Sequence, residues 1–174
     1  MEKISLKDVD LNGDTKRQIE LNTGLEKEGR KQVSDLLGKA LANSYALMVK
    51  TQNYHWNIRG LHFKSIHELT EEHYNELFEA IDDLAERIRA LGFDAPGSFP
   101  EFNNLTNISD PKPGLSELEM VADLLKSHEY LINNLRDVLR AAEKIEDEVT
   151  VDMMVDRLTV HEKAAWMLRS MIEH

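Results

Sequence analysis

The sequence predicts an all-α protein, a four-helix bundle in which a long crossover joins the second helix to the third. Four long segments repeat apolar residues at the three- and four-residue spacing of amphipathic helices. Between the second and third segments, residues 92–115 hold all four prolines and three of the glycines, which interrupt regular structure. No segment shows the alternating pattern of a strand. A helical bundle is therefore the fold class that these patterns favour.

The first two helices are predicted over residues 26–59 and 62–91. Thr23 and Glu26 have the spacing of a capping box at the start of the first helix, and Gly60 is expected to end it. The apolar period of the second helix continues until Gly92. The connection between the two helices is short, so we expect them to pack as antiparallel neighbours.

The crossover has room for a short extra helix around residues 98–105, and the last two long helices follow it. Ser116 and Glu119 form a second capping-box pair at the start of the third helix, predicted over residues 116–145. Thr150 is expected to cap the fourth helix. Two short connections and one long crossover are the topology of ferritin-like bundles.

Length and composition limit the kind of protein. The 174 residues indicate one folded domain, with a tail at residues 1–24 and the bundle at residues 25–174. There is no cysteine, so thiolate chemistry is excluded and metal ligands must be His, Asp or Glu. The chain start lacks an apolar leader and no run is long enough to span a membrane, so we expect a cytoplasmic protein without a membrane partner. The formal charge of −11 suits the binding of cations.

Candidate metal ligands occur as two pairs on the second predicted helix. His67 and Glu71 form one pair, and Asp82 and Glu86 form the other, each with a spacing of four residues. Because each residue turns a helix by about 100°, the four side chains fall on one face. The pairs are about 22 Å apart along the axis, which is far beyond the reach of one metal ion. Each pair therefore represents half of a site.

The positions of the half-sites predict that they complete each other between chains. The midpoint between residues 76 and 77 lies halfway between His67 and Glu86, and also halfway between Glu71 and Asp82. Two copies of the helix packed antiparallel about a twofold axis at this point would place the first pair of one chain opposite the second pair of the other. Every dimer would then hold two equivalent metal sites.

His55 is predicted to face inward near the end of the first helix and to reach the region of His67. Phe63 and Phe78 lie near the candidate ligands, which fits a partly buried interface better than open solvent. Two imidazoles and three carboxylates form a ligand set suited to iron. Two alternatives stay open: the acids are a solvated helix surface, and His55 is a hydrogen-bonded core residue.

These residues belong to a longer pattern. H-W-N-x-x-G-x-x-F-x-x-x-H-x-x-x-E, completed by D-x-x-A-E-R, spans residues 55–87, and the ending HEKAAWMLR occupies residues 161–169. The combination resembles the Dps family, the mini-ferritins named as DNA-binding proteins from starved cells. Ordinary ferritins are a poorer match, because no histidine in this chain follows a Glu by three residues.

The resemblance implies a hollow shell of twelve identical subunits built from twofold dimers, with a ferroxidase centre between chains. One subunit would supply His55, His67 and Glu71, and its mate Asp82 and Glu86. The centre would bind iron, two ions per interchain site, with zinc as a competitor. Ferrous iron would be oxidised, with hydrogen peroxide preferred over oxygen, and the ferric mineral stored, which protects against oxidative damage. Many members have Asp where this chain has Glu71, a difference that bears on the second metal.

Three further residues receive roles from the resemblance. Trp56 lies next to His55, where an indole could act as electron donor or radical quencher; the alternative is an aromatic residue of the interface. Glu129 and Asp137 match acidic positions that line the pores through which iron enters the shell. Acids scattered over a helix surface are the alternative interpretation.

The remaining histidines are assigned mainly structural roles. His128 and His161 fall on the apolar faces of the last two long helices, so we expect them in the core or behind the ligands. His62 and His73 could assist the arrival of metal, and simple exposure explains them equally well. None of the four belongs to the predicted centre.

Two rival functions stay open at this level. A structural or DNA-compacting helical oligomer would have a weak or vestigial metal site. A di-metal oxygenase would need an apolar pocket beside the metals, which the sequence does not reveal.

We predict no strong direct DNA binding at neutral pH, despite the name of the family that the chain resembles. Members that bind DNA use flexible tails rich in Lys and Arg, whereas the first thirty residues here carry six basic and seven acidic side chains. An acidic shell repels phosphates, and association with the nucleoid would follow only if DNA binding occurs. A salt-sensitive mobility shift of duplex DNA at physiological ionic strength would contradict this prediction.

Overall fold

The computed structural model, which describes residues 21–173, contains five helices and no strand in that range. The elements are α1 (Lys27–Asn57), α2 (Phe63–Ala90), α3 (Phe99–Leu105), α4 (Glu117–Glu143) and α5 (Glu148–Ser170). The predicted bundle, with a long crossover that carries a short extra helix, is confirmed. Residues 1–20 of the predicted tail lie outside the described residues. None of the helices described is long and apolar enough to cross a membrane.

The long helices pack as two hairpins around one core. α1 packs along α2, α4 packs along α5, and α1 also contacts α4, which joins the hairpins. The apolar stripe predicted for α2 lies in this core with at most 1 % exposure of each side chain: Ile66, Leu77, Leu84 and Ile88. Full burial of one such side chain stabilises the fold by about 2 kcal/mol. Burying this stripe leaves the opposite face of α2 on the surface.

The predicted capping box of α1 is wrong. The helix begins at Lys27, and Glu26 at the N-cap makes no side-chain capping bond. Thr23 cannot take the capping position because Gly24 has a φ of +83°, a left-handed conformation that does not continue into a right-handed helix.

The predicted cap of α5 is also wrong, whereas that of α4 is confirmed. Asp147 caps α5, and Thr150 is the donor, with its backbone N–H 3.1 Å from Asp147 Oδ1. Asp147 precedes the helix and also forms an ion pair with Arg87 of α2 at 2.5 Å. Both the capping bond and the ion pair hold its carboxylate at the start of α5. Ser116 and Glu119 form the expected reciprocal capping box of α4.

Buried polar side chains tie the crossover to the bundle. The Lys50 ammonium, 1 % exposed, lies 3.0 Å from Asp123 Oδ2 and donates to Ser127 Oγ at 3.1 Å. The Tyr54 hydroxyl donates to the same carboxylate at 2.7 Å and accepts the backbone N–H of Lys112 in the crossover. Burial is the largest cause that raises the pKa of Tyr54 to about 12. This network fixes the last turns of α1 against α4.

Three histidines meet between α2, α4 and α5. Nδ1 of His128 lies 3.0 Å from Nδ1 of His161, and the His73 ring meets His128 edge to face with 5.4 Å between centroids. Arg157 Nη2 lies 3.2 Å from His161 Nε2 and 2.8 Å from Glu76 Oε2. The expectation that His128 and His161 lie in the core is confirmed, since both are at most 2 % exposed.

The interpretation of His73 as a simply exposed residue is wrong. Its side chain is half-buried, and its Nδ1 is inaccessible to solvent. His73 follows Ile66 by seven residues and precedes Leu77 by four, so the helical period places it beside the core stripe of α2. Burial is the largest cause that lowers the pKa of this imidazole.

We predict that His128 makes the fold sensitive to acid. Burial lowers its pKa from 6.5 to about 3, so between these values the unfolded chain binds a proton that the folded residue does not. The free energy of unfolding therefore falls as pH drops below 6.5, by about 2 kcal/mol at pH 5 for this residue. His128→Leu should lower the slope of that free energy against pH by about one proton, measured by denaturant unfolding. An unchanged slope would contradict the prediction, and any loss of packing shifts the whole curve without changing its slope.

Candidate metal centre

The turn between α1 and α2 is fixed by contacts to the start of α4. Gly60 has a φ of +140°, and a Cβ at this position would collide with the Glu117 carboxylate. That carboxylate accepts the backbone N–H of His62 at 3.0 Å and lies 2.6 Å from its ring Nδ1. The side-chain hydrogen bond from His62 is the largest cause that lowers the pKa of Glu117. The end of α1 and the start of α2 are thereby held together.

His55 and His67 form the centre of this hairpin. Their rings stack with 3.7 Å between centroids. Nδ1 of His55 lies 2.9 Å from the backbone carbonyl of His67, and Nδ1 of His67 lies 3.0 Å from the carbonyl of His55. A carbonyl oxygen only accepts, so each Nδ1 carries the proton and each neutral ring keeps its lone pair on Nε2. This is the arrangement in which a second hydrogen bond orients a histidine for metal binding.

Neighbouring side chains restrict both rings. Thr70 Oγ1 lies 3.3 Å from Nδ1 of His55, and Tyr74 meets the His55 ring edge to face at 5.2 Å. Phe63 stacks on His67 with 5.1 Å between centroids. Sequence reasoning missed Thr70 and Tyr74, although their spacing of three and seven residues after His67 places them on neighbouring turns of one side of α2.

The three carboxylates of the predicted centre are exposed on α2. Glu71 lies one turn after His67, whereas by the helix rise Asp82 lies about 22 Å and Glu86 about 28 Å from that histidine. None of the three carboxylates forms an ion pair within residues 21–173. Over the same range, no three His, Asp or Glu side chains of one chain come together in a metal site. Within one chain the His67–Glu71 pair and the Asp82–Glu86 pair are thus separate, and their combination with a second chain into a metal site stays a prediction.

Large aromatic side chains lie exposed among these acids. Phe78 and Trp56 are each 69 % exposed, and Phe63 is 45 % exposed. By helix rotation, Phe63 and Phe78 lie within about 40° of His67 around α2. Aromatic side chains clustered on one face mark a surface that gains from being covered by another molecule. The prediction that this face meets a second copy of α2 fits that composition.

The predicted pore residues lie on α4 and pair with nearby arginines. Glu129 is 2.7 Å from Arg169 of α5, and Asp137 is 2.5 Å from Arg140 of its own helix. Both ion pairs are largely solvated, so they contribute little to stability. Their role in lining a pore of a twelve-subunit shell stays a prediction.

Comparison with known proteins relates the chain to the ferritin-like proteins. The family profile of the ferritin-like domain matches residues 34–174. An uncharacterised low temperature-induced protein of Nostoc is 45 % identical over 88 % of this chain and 87 % of its own length. A DNA protection during starvation protein of Bacillus anthracis is 34 % identical over 82 % of this chain and 97 % of its own length.

Solved structures agree with the sequence matches. A Dps protein of Vibrio cholerae, described as a member of the ferritin-like diiron-carboxylate superfamily, superposes with a TM-score of 0.82 at 30 % identity. The alignment covers 86 % of this chain and 94 % of that protein. At this level of identity and coverage, the likeness extends to the family and not only to the helical bundle.

Proposed function

Because this chain belongs to the Dps family of ferritin-like proteins, we propose that it oxidises ferrous iron at centres formed between two chains and stores the ferric product in a shell of twelve subunits. The observation that carries the proposal is the stacked pair of His55 and His67, in which both Nε2 lone pairs are free. The exposed acidic and aromatic face of α2 supports completion of the centre by a second chain.

In the proposed centre, His55, His67 and Glu71 of one chain bind ferrous iron together with Asp82 and Glu86 of the mate. The imidazoles contribute nitrogen ligands, and the carboxylates balance the charge that increases when iron is oxidised. Zinc accepts the same ligands and would compete for the centre. The hydrogen bonds to backbone carbonyls hold the two imidazoles in place, so little reorganisation accompanies metal binding.

The proposed reaction uses two ferrous ions for each molecule of hydrogen peroxide. Each ion loses one electron, and the two electrons cleave the O–O bond while two protons are taken up, which yields two water molecules. Oxygen serves as the slower oxidant. Consuming ferrous iron and peroxide together removes both reactants of hydroxyl-radical formation, which is the protective part of the function. Trp56, beside His55, would donate an electron to a stray oxidising equivalent.

Glu71 gives this centre a longer carboxylate arm than the Asp of many family members. The extra methylene moves the carboxylate farther from the α2 backbone while keeping its charge. We therefore expect Glu71→Asp to change the occupancy of the second iron position rather than the binding of the first.

We predict rapid iron oxidation in a peroxide pulse after anaerobic ferrous loading. Ferric absorbance should increase faster than for free iron, and the mineral should stay inside a particle of about twelve subunits, recorded by absorbance and native mass measurement. His67→Ala should remove the rate enhancement and keep the particle, because this side chain is only partly buried and the core stripe of α2 is unchanged. Glu68→Ala, the next residue on α2 and 60 % exposed, is the matched control and should oxidise iron normally. Oxidation no faster than free iron would favour the structural oligomer.

We also predict that two inactive variants restore activity when they share a dimer. His67→Ala and Glu86→Ala should each abolish oxidation alone, since every interchain centre then lacks one ligand. In a mixed dimer, one of the two centres receives the intact histidine half and the intact acidic half. Random mixing of equal amounts should therefore restore about a quarter of the activity after dissociation and reassembly. No recovery in mixed particles would contradict a centre shared between two chains.

A further inference from the structure

Outside the proposed iron centre, a chain of hydrogen bonds determines which ring nitrogen carries the proton in two buried histidines, His161 and His128. Arg157 can only donate, so Nε2 of His161 must accept its N–H. The neutral His161 ring therefore carries its proton on Nδ1 and donates it to Nδ1 of His128. His128 must then carry its own proton on Nε2. This N–H is fully buried and has no hydrogen-bond partner within residues 21–173.

A second unpartnered nitrogen lies beside it. Nδ1 of His73 is also inaccessible to solvent and has no partner in the described part of the chain. His73 and His128 both line a pocket of about 270 Å³ between α2, α4 and α5. Its walls are mainly apolar and include Val160, Ala164 and Met167. Because buried polar groups in proteins almost always have partners, this pair of nitrogens indicates a ligand in the pocket.

The proton positions exclude a metal ion as that ligand. A metal would need the lone pair on Nε2 of His128, which would move the proton of this ring to Nδ1. His161 would then have to accept at both of its nitrogens, from His128 and from Arg157, and would lose both ring protons. The Arg157 guanidinium beside this ring is already paired with Glu76, so it does not provide the uncompensated positive charge that such an imidazolate anion would need.

The charges around the pocket exclude an anion. Glu72, Glu76 and Lys163 line it, and Arg157 lies behind the histidines. The Arg157 guanidinium is paired with Glu76, and the charge of Lys163 is balanced by that of Glu72. The pocket therefore has no excess positive charge to hold an anion and favours an uncharged ligand.

We propose that this pocket binds a small uncharged molecule that carries a hydroxyl group on an apolar body, with phenol as the simplest example. The hydroxyl oxygen accepts the Nε2–H of His128 and donates its own proton to Nδ1 of His73. The apolar body packs against Val160 and Ala164, and the Met167 thioether makes a favourable contact with an aromatic ring. The pocket is separate from the proposed iron centre, so this proposal does not depend on iron oxidation.

The test compares phenol with benzene and with phosphate on the assembled full-length protein, by calorimetric titration at pH 7. Phenol should bind saturably and at least tenfold more tightly than benzene, because benzene leaves both nitrogens unpartnered. His128→Leu should lower phenol affinity at least tenfold and leave benzene affinity unchanged. His62→Leu, which changes an exposed histidine far from the pocket, is the matched control and should bind phenol normally.

Several outcomes would overturn the proposal. No saturable phenol binding would mean that water alone fills the pocket, and equal affinities for phenol and benzene would mean that the nitrogens do not select the ligand. Tighter binding of phosphate, or zinc binding that His128→Leu removes, would contradict the derived proton positions. The comparison of phenol with benzene uses the unaltered protein, so it tests whether the pocket selects a hydroxyl group even if His128→Leu fails to fold.

Discussion

The two hydrogen bonds between His55 and His67 are the constraint on which the geometry of the candidate centre depends. Each ring donates to the backbone carbonyl of the other residue, so the last turn of α1 and the second turn of α2 are joined at a fixed register. Once this register is set, the core stripe of α2 points into the bundle and its acidic face points outward. The contact that orients the candidate ligands therefore also orients the surface on which a second chain would pack.

The core adds two polar networks to this constraint. Lys50, Tyr54 and Asp123 hold the crossover against α1 and α4, and the histidines hold α5 against α2 and α4. Polar groups buried in this way stabilise little on balance, but a displaced helix would leave them without partners. They consequently favour one arrangement of the helices over others with similar apolar burial.

Helical periodicity was sufficient to predict the long helices, because the apolar stripe of each is continuous in sequence. The caps at Thr23 and Thr150 were predicted wrongly, since the left-handed conformation of Gly24 and the pairing of Asp147 with Arg87 depend on the folded chain. His55 and His67 were placed together because only a short turn separates them. The meeting of His128 with His161 was not predictable, because it joins residues of different helices through the packing of the core.

The separation of the two predicted half-sites along α2 affects when iron oxidation can begin. Under the proposed interchain centre, a newly made chain has no complete set of ligands until it meets another. The onset of oxidation would then vary with the square of the concentration of free chains. Iron chemistry would start only after pairing, when the reactive intermediates form inside a folded interface rather than on an unprotected, partly folded chain. Because His67 and Glu86 are too far apart to meet within one chain, a chain that is still being synthesised would not oxidise iron and would not be exposed to the reactive intermediates.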